Sequence, residues 1–384
     1  MKPYLMPEKL SRRRLVTSAI MGVTGMGLSG ISAAQSAGLD SAEDLERLRN
    51  MDEVDRYIAV DNKCAWPNLT LMPDGSIVAT IFGSPCHGFC EGAAECWISR
   101  DGGRTWTFLS VPAPNEPGTN RKDLAAGLTS SGALVVLCSG EYVPNSPSQE
   151  GRRCCQQPVV CRSTDGGKTW TRRESITMPP GVDNVFGYGN IAVLPGGRHA
   201  VAAFSGDHIN HNTAWVFFSD DDGRSWGGAR PIGERNYNET TLLALGEGHL
   251  LAASRTLKEN HTEIFASDDA GFTWKGRGPA TLPGGVPADL RRLQDGSILL
   301  THGVRLRGML GVLARISRDE GKTWGSARVL FRTTARRANT RPGGVDGGYP
   351  SSVQLENGTI VTAYYCQRIP MHQRYHMGVV RWRI

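Results

Sequence analysis

Groups able to exchange protons, attack an electrophilic carbon or grip an anion recur at two kinds of place along this chain. One set opens an apolar, strand-like run: Arg121-Lys122-Asp123, Tyr188, Asn238-Glu239, Asp289 and Tyr349. The other follows the next such run: His87 through Glu91, Gly140-Glu141-Tyr142, Asp207-His208, Ser254-Arg255, His302 through Arg307, and Gln367-Arg368. Carboxylates, imidazoles and phenols are the side chains of general acid–base and nucleophilic catalysis. Arginine's planar fork suits a carboxylate on a bound molecule. Taken singly, each of these residues reads as a solvated loop side chain. Brought to one mouth, they make a polar pocket.

The elements that would bring them together are hairpins. Ser-x-Asp-x-Gly-x-x-Trp occurs five times, beginning at Ser99, Ser163, Ser219, Ser267 and Ser317. Its Asp can bond nearby backbone N–H groups. Its Gly accepts a positive φ without strain. Its Trp starts the next strand and buries a large ring under the turn. Recurrence at about fifty residues signals a propeller or solenoid. A second series of turns precedes these: Met72-Pro-Asp-Gly75, Thr129-Ser-Ser-Gly132, Leu194-Pro-Gly-Gly197, Leu245-Gly-Glu-Gly248, Leu293-Gln-Asp-Gly296 and Leu355-Glu-Asn-Gly358. The last unit lacks the Trp turn and has three strands; Asp55–Val60 is expected to supply its fourth and close the ring. The expected fold is therefore all-β, a six-bladed β-propeller of four-stranded antiparallel blades over residues 55–384. Both turn series would lie on one face, and both polar sets on the other, around the axis.

The repeated turn resembles the Asp box, or BNR repeat, of the sialidase (neuraminidase) superfamily. The likeness covers nearly all of the chain beyond its N-terminal segment. Asp boxes mark a fold rather than a chemistry, but three segments carry a closer resemblance. The stretch from Asn238-Glu239 to Ser254-Arg255 is similar to the sialidase strand pair with a Glu at its start and a triad Arg at its end. Gly348-Tyr349 through Tyr364-Tyr365 is similar to the final blade that bears the nucleophilic Tyr. His302-Gly-Val-Arg305-Leu-Arg307 stands where the third triad Arg enters. The resemblance implies Tyr349 as nucleophile, Glu239 as its base, and Arg255 with Arg305 as ligands of a substrate carboxylate. Arg307, Arg121, Asp123, Asp289 and His302 join them as substrate-binding candidates at the same mouth. A phenol, with a pKa of about 10, is a poor nucleophile until a carboxylate takes its proton. Against an anionic sugar the Tyr–Glu pair avoids the repulsion that a bare carboxylate would meet.

The chain also departs from the family pattern. Where sialidases carry Arg-Ile-Pro with the first triad Arg, this sequence reads Cys64-Ala65-Trp66-Pro67. The general-acid Asp expected in the following loop is absent. Glu91 falls nearest its spacing and is the expected acid/base, with His87 as runner-up. The resulting expectation is an exo-acting sialidase-like glycoside hydrolase for sialic acid or another acidic sugar, with a glycan or glycoconjugate as partner. Two alternatives stay open: a polysaccharide lyase acting on uronate-containing glycans, and a non-catalytic carbohydrate-binding propeller. No cofactor and no metal is expected, since no Cys-x-x-Cys pair has zinc spacing.

Ser11-Arg12-Arg13-Arg14-Leu15, an apolar run to about Ile31 and Ser32-Ala33-Ala34 look like a twin-arginine export signal with a cleavage site. Residues 1–34 are therefore set aside as a signal peptide and 35–54 as a lead-in, and a periplasmic or secreted location is expected. Residues 1–34 hold five basic side chains (Lys2, Lys9, Arg12, Arg13, Arg14) and one acidic (Glu8), so the formal charge of +6 falls to about +2 without them. That balance gives no reason to expect a nucleic-acid partner, and no later stretch is apolar enough to span a membrane. Cys86, Cys90 and Cys96 cluster, as do Cys154, Cys155 and Cys161. Disulfides within these clusters suit an oxidising compartment, but spacing does not set their pairing.

Overall fold

Apolar runs punctuated by Gly-centred turns form strands throughout the described part of the computed structural model, which comprises residues 55–143, 155–173, 175–206, 211–234, 236–306, 309–333, 346–370 and 372–384. The expected signal peptide and lead-in lie outside the described residues, as do Arg307, Asp207 and His208. In chain order the strands are β1 (Asp55–Asp61), β2 (Ala65–Leu71), β3 (Ile77–Phe82), β4 (Ala94–Ser99), β5 (Thr107–Ala113), β6 (Asp123–Leu128), β7 (Leu134–Glu141) and β8 (Cys155–Ser163). They continue as β9 (Thr171–Arg173), β10 (Phe186–Val193), β11 (His199–Ser205), β12 (Thr213–Ser219), β13 (Gly227–Ile232), β14 (Tyr237–Gly246), β15 (His249–Thr256) and β16 (Thr262–Ser267). The remainder are β17 (Lys275–Pro279), β18 (Ala288–Arg292), β19 (Ile298–Leu306), β20 (Met309–Ser317), β21 (Arg328–Thr333), β22 (Asp346–Gln354), β23 (Ile360–Gln367) and β24 (His376–Trp382).

The strands assemble as a propeller-like set of small antiparallel sheets. Four sheets have four strands each: β2–β5, β14–β17, β18–β21, and β22–β23–β24–β1. The last confirms that the first strand completes the final sheet, with Asp55 opposite Arg381 and Asp61 opposite His376. The strands β6–β13, expected as two separate blades, instead form one eight-stranded sheet. Its two antiparallel halves join where β6 and β10 pair in parallel, Gly189 with Ala125 and Asn190 with Ala126. Small residues permit that approach: a Cβ on Gly127 would sit 3.0 Å from the Ile191 Cβ, and one on Gly187 would sit 3.2 Å from the Ala125 nitrogen. Strands β2, β6, β10, β14, β18 and β22 neighbour one another in turn, and β22 returns to β2.

Apolar side chains fill the spaces between sheets. Leu251, Ala253 and Ile264 of β15–β16 meet Leu290 and Leu300 of β18–β19, while Leu69, Ile77 and Ile81 of β2–β3 meet Val361, Tyr365 and Val379 of the last sheet. At the turn ends all five Asp boxes share one hydrogen-bond set. In the first, Ser99 Oγ donates to Asp101 Oδ1 at 2.8 Å and accepts from Gly103 N at 2.8 Å. Thr105 donates its N–H to Asp101 Oδ1 at 2.9 Å and its hydroxyl to Oδ2 at 2.6 Å. The same four bonds recur around Asp165, Asp221, Asp269 and Asp319.

Candidate active site

The opposite ends of the strands are irregular. The pairing register breaks between Ala65 and Asn68 in β2, Gly187 and Ile191 in β10, Tyr237 and Thr240 in β14, and Gly348 and Ser351 in β22. Such bulges bend a strand and re-aim its side chains. Trp66, Tyr188, Glu239 and Tyr349 sit at these four breaks. Trp66 and Tyr349 also take left-handed backbone angles, φ +46° and +50°, a conformation that costs a bulky residue energy and is held only by its surroundings.

These residues line a cavity of about 180 Å³, together with Asn68, His87, Phe89, Lys122, Asp123 and Asp289. On its wall the Tyr349 hydroxyl donates to Glu239 Oε1. Arg255 Nη1 donates to the other oxygen, Glu239 Oε2, at 2.8 Å. The Arg305 guanidinium lies 5.3 Å from the centre of the Tyr349 ring; its Nη2 donates to the Tyr365 hydroxyl and its Nε to the Gly347 carbonyl, each at 3.3 Å. Burial alone would raise the Glu239 carboxyl, but Arg255, the Tyr349 hydrogen bond and Arg305 together hold it below the usual range. Burial and the Glu239 charge push the Tyr349 phenol well up, against Arg255 and Arg305. The pair is thus a neutral phenol beside an ionised base, the state from which a phenol can be activated.

A second cluster adjoins the first. His87 Nδ1 lies 2.5 Å from Asp346 Oδ2. Asp346 also accepts from the Tyr365 hydroxyl at 2.8 Å and the Tyr375 hydroxyl at 2.9 Å. Burial would raise this carboxyl, yet the bond and charge of His87, with Arg305 and Tyr365, bring it down to about 2. Trp66 and Tyr365 touch both clusters: Trp66 is 5.0 Å from the His87 ring and 6.1 Å from that of Tyr349, and Tyr365 is 6.2 Å and 5.5 Å from the same two rings.

The other candidates divide. Asp123 lines the cavity; burial, with Glu141 and Glu239 and against Lys122, pushes its carboxyl up to about 7. Its Oδ2 is buried with no hydrogen-bond partner among the described residues. Asp289 lines the cavity but is spent on the scaffold, accepting from Asn190 Nδ2 and Ser352 N, each at 2.8 Å. Arg255 and Arg305 touch the Tyr349–Glu239 pair rather than lining the cavity itself. His302 does not reach the cavity. It is buried in β19 with Nδ1 2.9 Å from the Gly303 carbonyl oxygen, and burial brings its imidazole down to about 4. Arg121 turns away, giving Nη1 to the Gln157 carbonyl at 2.8 Å, and its neighbour Lys122 faces the cavity instead. Glu91, expected as the acid/base, is exposed and lines no part of the cavity. Its side chain stands outside the loop closed by the Cys86–Cys90 disulfide, whereas His87 stands within it. Arg307 lies outside the described residues. Nothing in the sequence points to Asp346 or Tyr375; Lys122 and Tyr188 stand in the polar set at the strand starts without a role, and Tyr365 only closes the segment likened to the sialidase final blade.

Residues 142–362 match the BNR repeat-like domain family. The chain is 27% identical to a sialidase of Micromonospora viridifaciens over 90% of its own length, and spans 58% of that relative. Among solved structures it is similar to a Dyadobacter fermentans protein of unknown function (TM-score 0.70, 22% identity, covering 86% of this chain and 98% of the other). It is also similar to the Hadza microbial sialidase Hz136 (TM-score 0.65, 18% identity, covering 84% and 66%).

Proposed function

The chain belongs to the BNR repeat-like family of the sialidase superfamily, and from that premise we propose an exo-acting glycoside hydrolase that removes sialic acid or another acidic sugar from a glycan or glycoconjugate. The observation that carries this reading is the Tyr349–Glu239 hydrogen bond on the cavity wall. Tyr349 attacks the anomeric carbon while its proton passes to Glu239. Arg255 keeps Glu239 ionised before the step. Arg255 and Arg305 flank the pair behind the cavity wall, and among the described residues the buried Arg255 Nε has no partner of its own, so a sugar carboxylate drawn in beside Tyr349 would be met by these two forks. Ala65 and Trp66 stand where a third arginine would, which makes the enzyme less selective for sialic acid than a three-arginine relative.

In the same reading the two halves of the eight-stranded sheet count as two blades. The fold is then a six-bladed propeller, with β1 as the outer strand of the last blade. Arg12 and Arg13 direct twin-arginine export to the periplasm or beyond; replacing both with Lys leaves the protein in the cytoplasm, and unchanged export on cell fractionation overturns that assignment.

The test of the activity is turnover of 4-methylumbelliferyl sialoside beside a panel of aryl glycosides of other acidic sugars. Release of a saturated free sugar, abolished in Tyr349→Phe, supports the hydrolase. An unsaturated, ultraviolet-absorbing product from a uronate glycan, or glycan binding without turnover, overturns it.

A further inference from the structure

The hydrolase reading leaves the leaving group without a proton donor, and this inference rests on that reading. A carboxylate in the loop after β3 would be the ordinary supplier, but the one carboxylate close to the right spacing, Glu91, is exposed and off the cavity. We propose that His87, oriented by Asp346, is the catalytic acid/base of this site.

Geometry carries the assignment. His87 stands between Cys86 and Cys90 in a disulfide-closed loop, and Asn120 Nδ2 ties that loop down through the Gly88 carbonyl at 2.9 Å. The ring's Nδ1 stands 2.5 Å from Asp346 Oδ2, an ion-pair contact in which the N–H is not aimed for a regular hydrogen bond, and Nε2 is the ring nitrogen left to the cavity that His87 lines. Asp346 is itself fixed by two tyrosine hydroxyls, and Tyr365 is in turn held by Arg305. A carboxylate on one imidazole nitrogen sets the tautomer and aims the other nitrogen at the reacting atom. Trp66 and Tyr365 each touch both rings, and His87 and Tyr349 line the same cavity, the arrangement a nucleophile and a donor to the leaving oxygen require. An ion pair that merely held the fold together would gain nothing by lining a cavity beside a nucleophile.

The protons balance. In the first step Tyr349 oxygen bonds to the anomeric carbon as the glycosidic C–O bond breaks. The Tyr349 proton goes to Glu239, and imidazolium Nε2–H protonates the departing oxygen. In the second step neutral His87 takes a proton from water, whose oxygen bonds to the anomeric carbon. The Tyr349–sugar bond then breaks, and Glu239 returns its proton to Tyr349. His87 ends as imidazolium. Asp346 remains ionised throughout and acts as a positioning residue.

The experiment compares two probes that differ in their need for a proton: methyl sialoside, with a basic leaving oxygen, and 4-methylumbelliferyl sialoside, with an acidic one. His87→Asn should cut kcat on the methyl sialoside at least about a hundredfold with KM little changed, while the first step on the aryl sialoside falls less than about tenfold. Slow second-step turnover should then leave a Tyr349-linked sugar detectable by intact-protein mass. Asp346→Asn should show the same leaving-group dependence and the same kcat-against-KM split, which a loss of folding alone would not produce. Equal losses on both probes in a folded His87→Asn protein overturn the proposal. So does leaving-group dependence that appears instead in Glu91→Gln or in Asp123→Asn. Wild-type protein inert toward both sialosides and toward aryl glycosides of other acidic sugars overturns the hydrolase reading, and the proton-donor role falls with it.

Discussion

At the turn ends of the sheets, each Asp-box carboxylate is satisfied by neighbours no more than four residues away in sequence. At the cavity ends, Glu239 depends on Arg255, 16 residues on, and on Tyr349, 110 residues on. The first arrangement is local, exposed and written out five times. The second is non-local, buried and written once. A repeated local device can lose a copy and survive, whereas a single buried network of charges fails as a unit. The turn devices are thus repeated around the rim, while the proposed chemistry hangs on a few unrepeated residues.

The contrast is sharpest in Arg255→Leu, which strands the Glu239 carboxylate in the interior. The expected loss is about 3 kcal/mol of unfolding free energy in urea titrations. Replacing Glu239 by Leu in the same chain should restore most of it, since an apolar pair tolerates burial. If Arg255→Leu costs no more than an exposed ion pair, the cavity network is not an interdependent unit.

Next in size is Tyr349→Phe. Turnover of 4-methylumbelliferyl sialoside should fall about a hundredfold or more, equivalent to about 2.7 kcal/mol of barrier. Its melting temperature should stay close to that of the wild type, because only a hydroxyl is removed. Retained activity would move the nucleophile elsewhere.

The two cavity aspartates should separate by pH. Asp346 titrates at about 2 when folded, so the stability it contributes is whole above about pH 4 and is lost as pH falls toward 2. Asp123 titrates at about 7 when folded, so the folded chain keeps a proton that the unfolded chain has released. Its contribution therefore declines from about pH 4 to about pH 7 and then levels off. Urea midpoints measured from about pH 2 to about pH 8 should lose the neutral-side decline in Asp123→Asn and the acid-side loss in Asp346→Asn. Parallel curves for both variants and the wild type would show that neither group is perturbed.

The smallest effect belongs to the rim. Asp101→Ala removes four accepted hydrogen bonds around an exposed turn and should cost about 1 kcal/mol in urea titrations, with turnover unaltered. Asp319→Ala should do the same. A collapse of activity in either would mean that the two ends are coupled.

The same division governs what could be read in the residues beforehand. Asp boxes and hairpin turns are short-range patterns, so the strand units and the docking of β1 on β24 were legible. Tyr349, Glu239, Arg255 and Arg305 were named through family resemblance, and they do meet. The fusion of β6–β13 was not legible, because it turns on how closely two Gly- and Ala-rich strands approach. Arg121 was preferred to Lys122 although neighbours on an extended chain point opposite ways, and only the register decides which faces inward. Glu91 was preferred to His87 on spacing, which cannot show that a disulfide loop presents one and excludes the other. Asp346 lies in another sheet from His87, and nothing in the residues around either one announces the contact.

The pairing of β1 with β24 ties together segments from near the two ends of the chain. Tyr57 also bonds the Gly103 carbonyl and receives Trp106 Nε1 at 2.9 Å, while Arg56 Nε reaches the Leu330 carbonyl at 2.7 Å. The segment that leaves the ribosome early is therefore the one that can be fastened only when the last strand has been made. Until then the final sheet has an open edge and the first Asp box lacks the partner of its indole. Such long-range closure is slow, and a ribosome stalled within β24 would hold a nearly complete ring that cannot latch. By the same geometry, a chain rejoined from residue 384 to residue 55 and opened at an exposed turn would keep every contact of the clasp while making it local, and should fold faster than its parent.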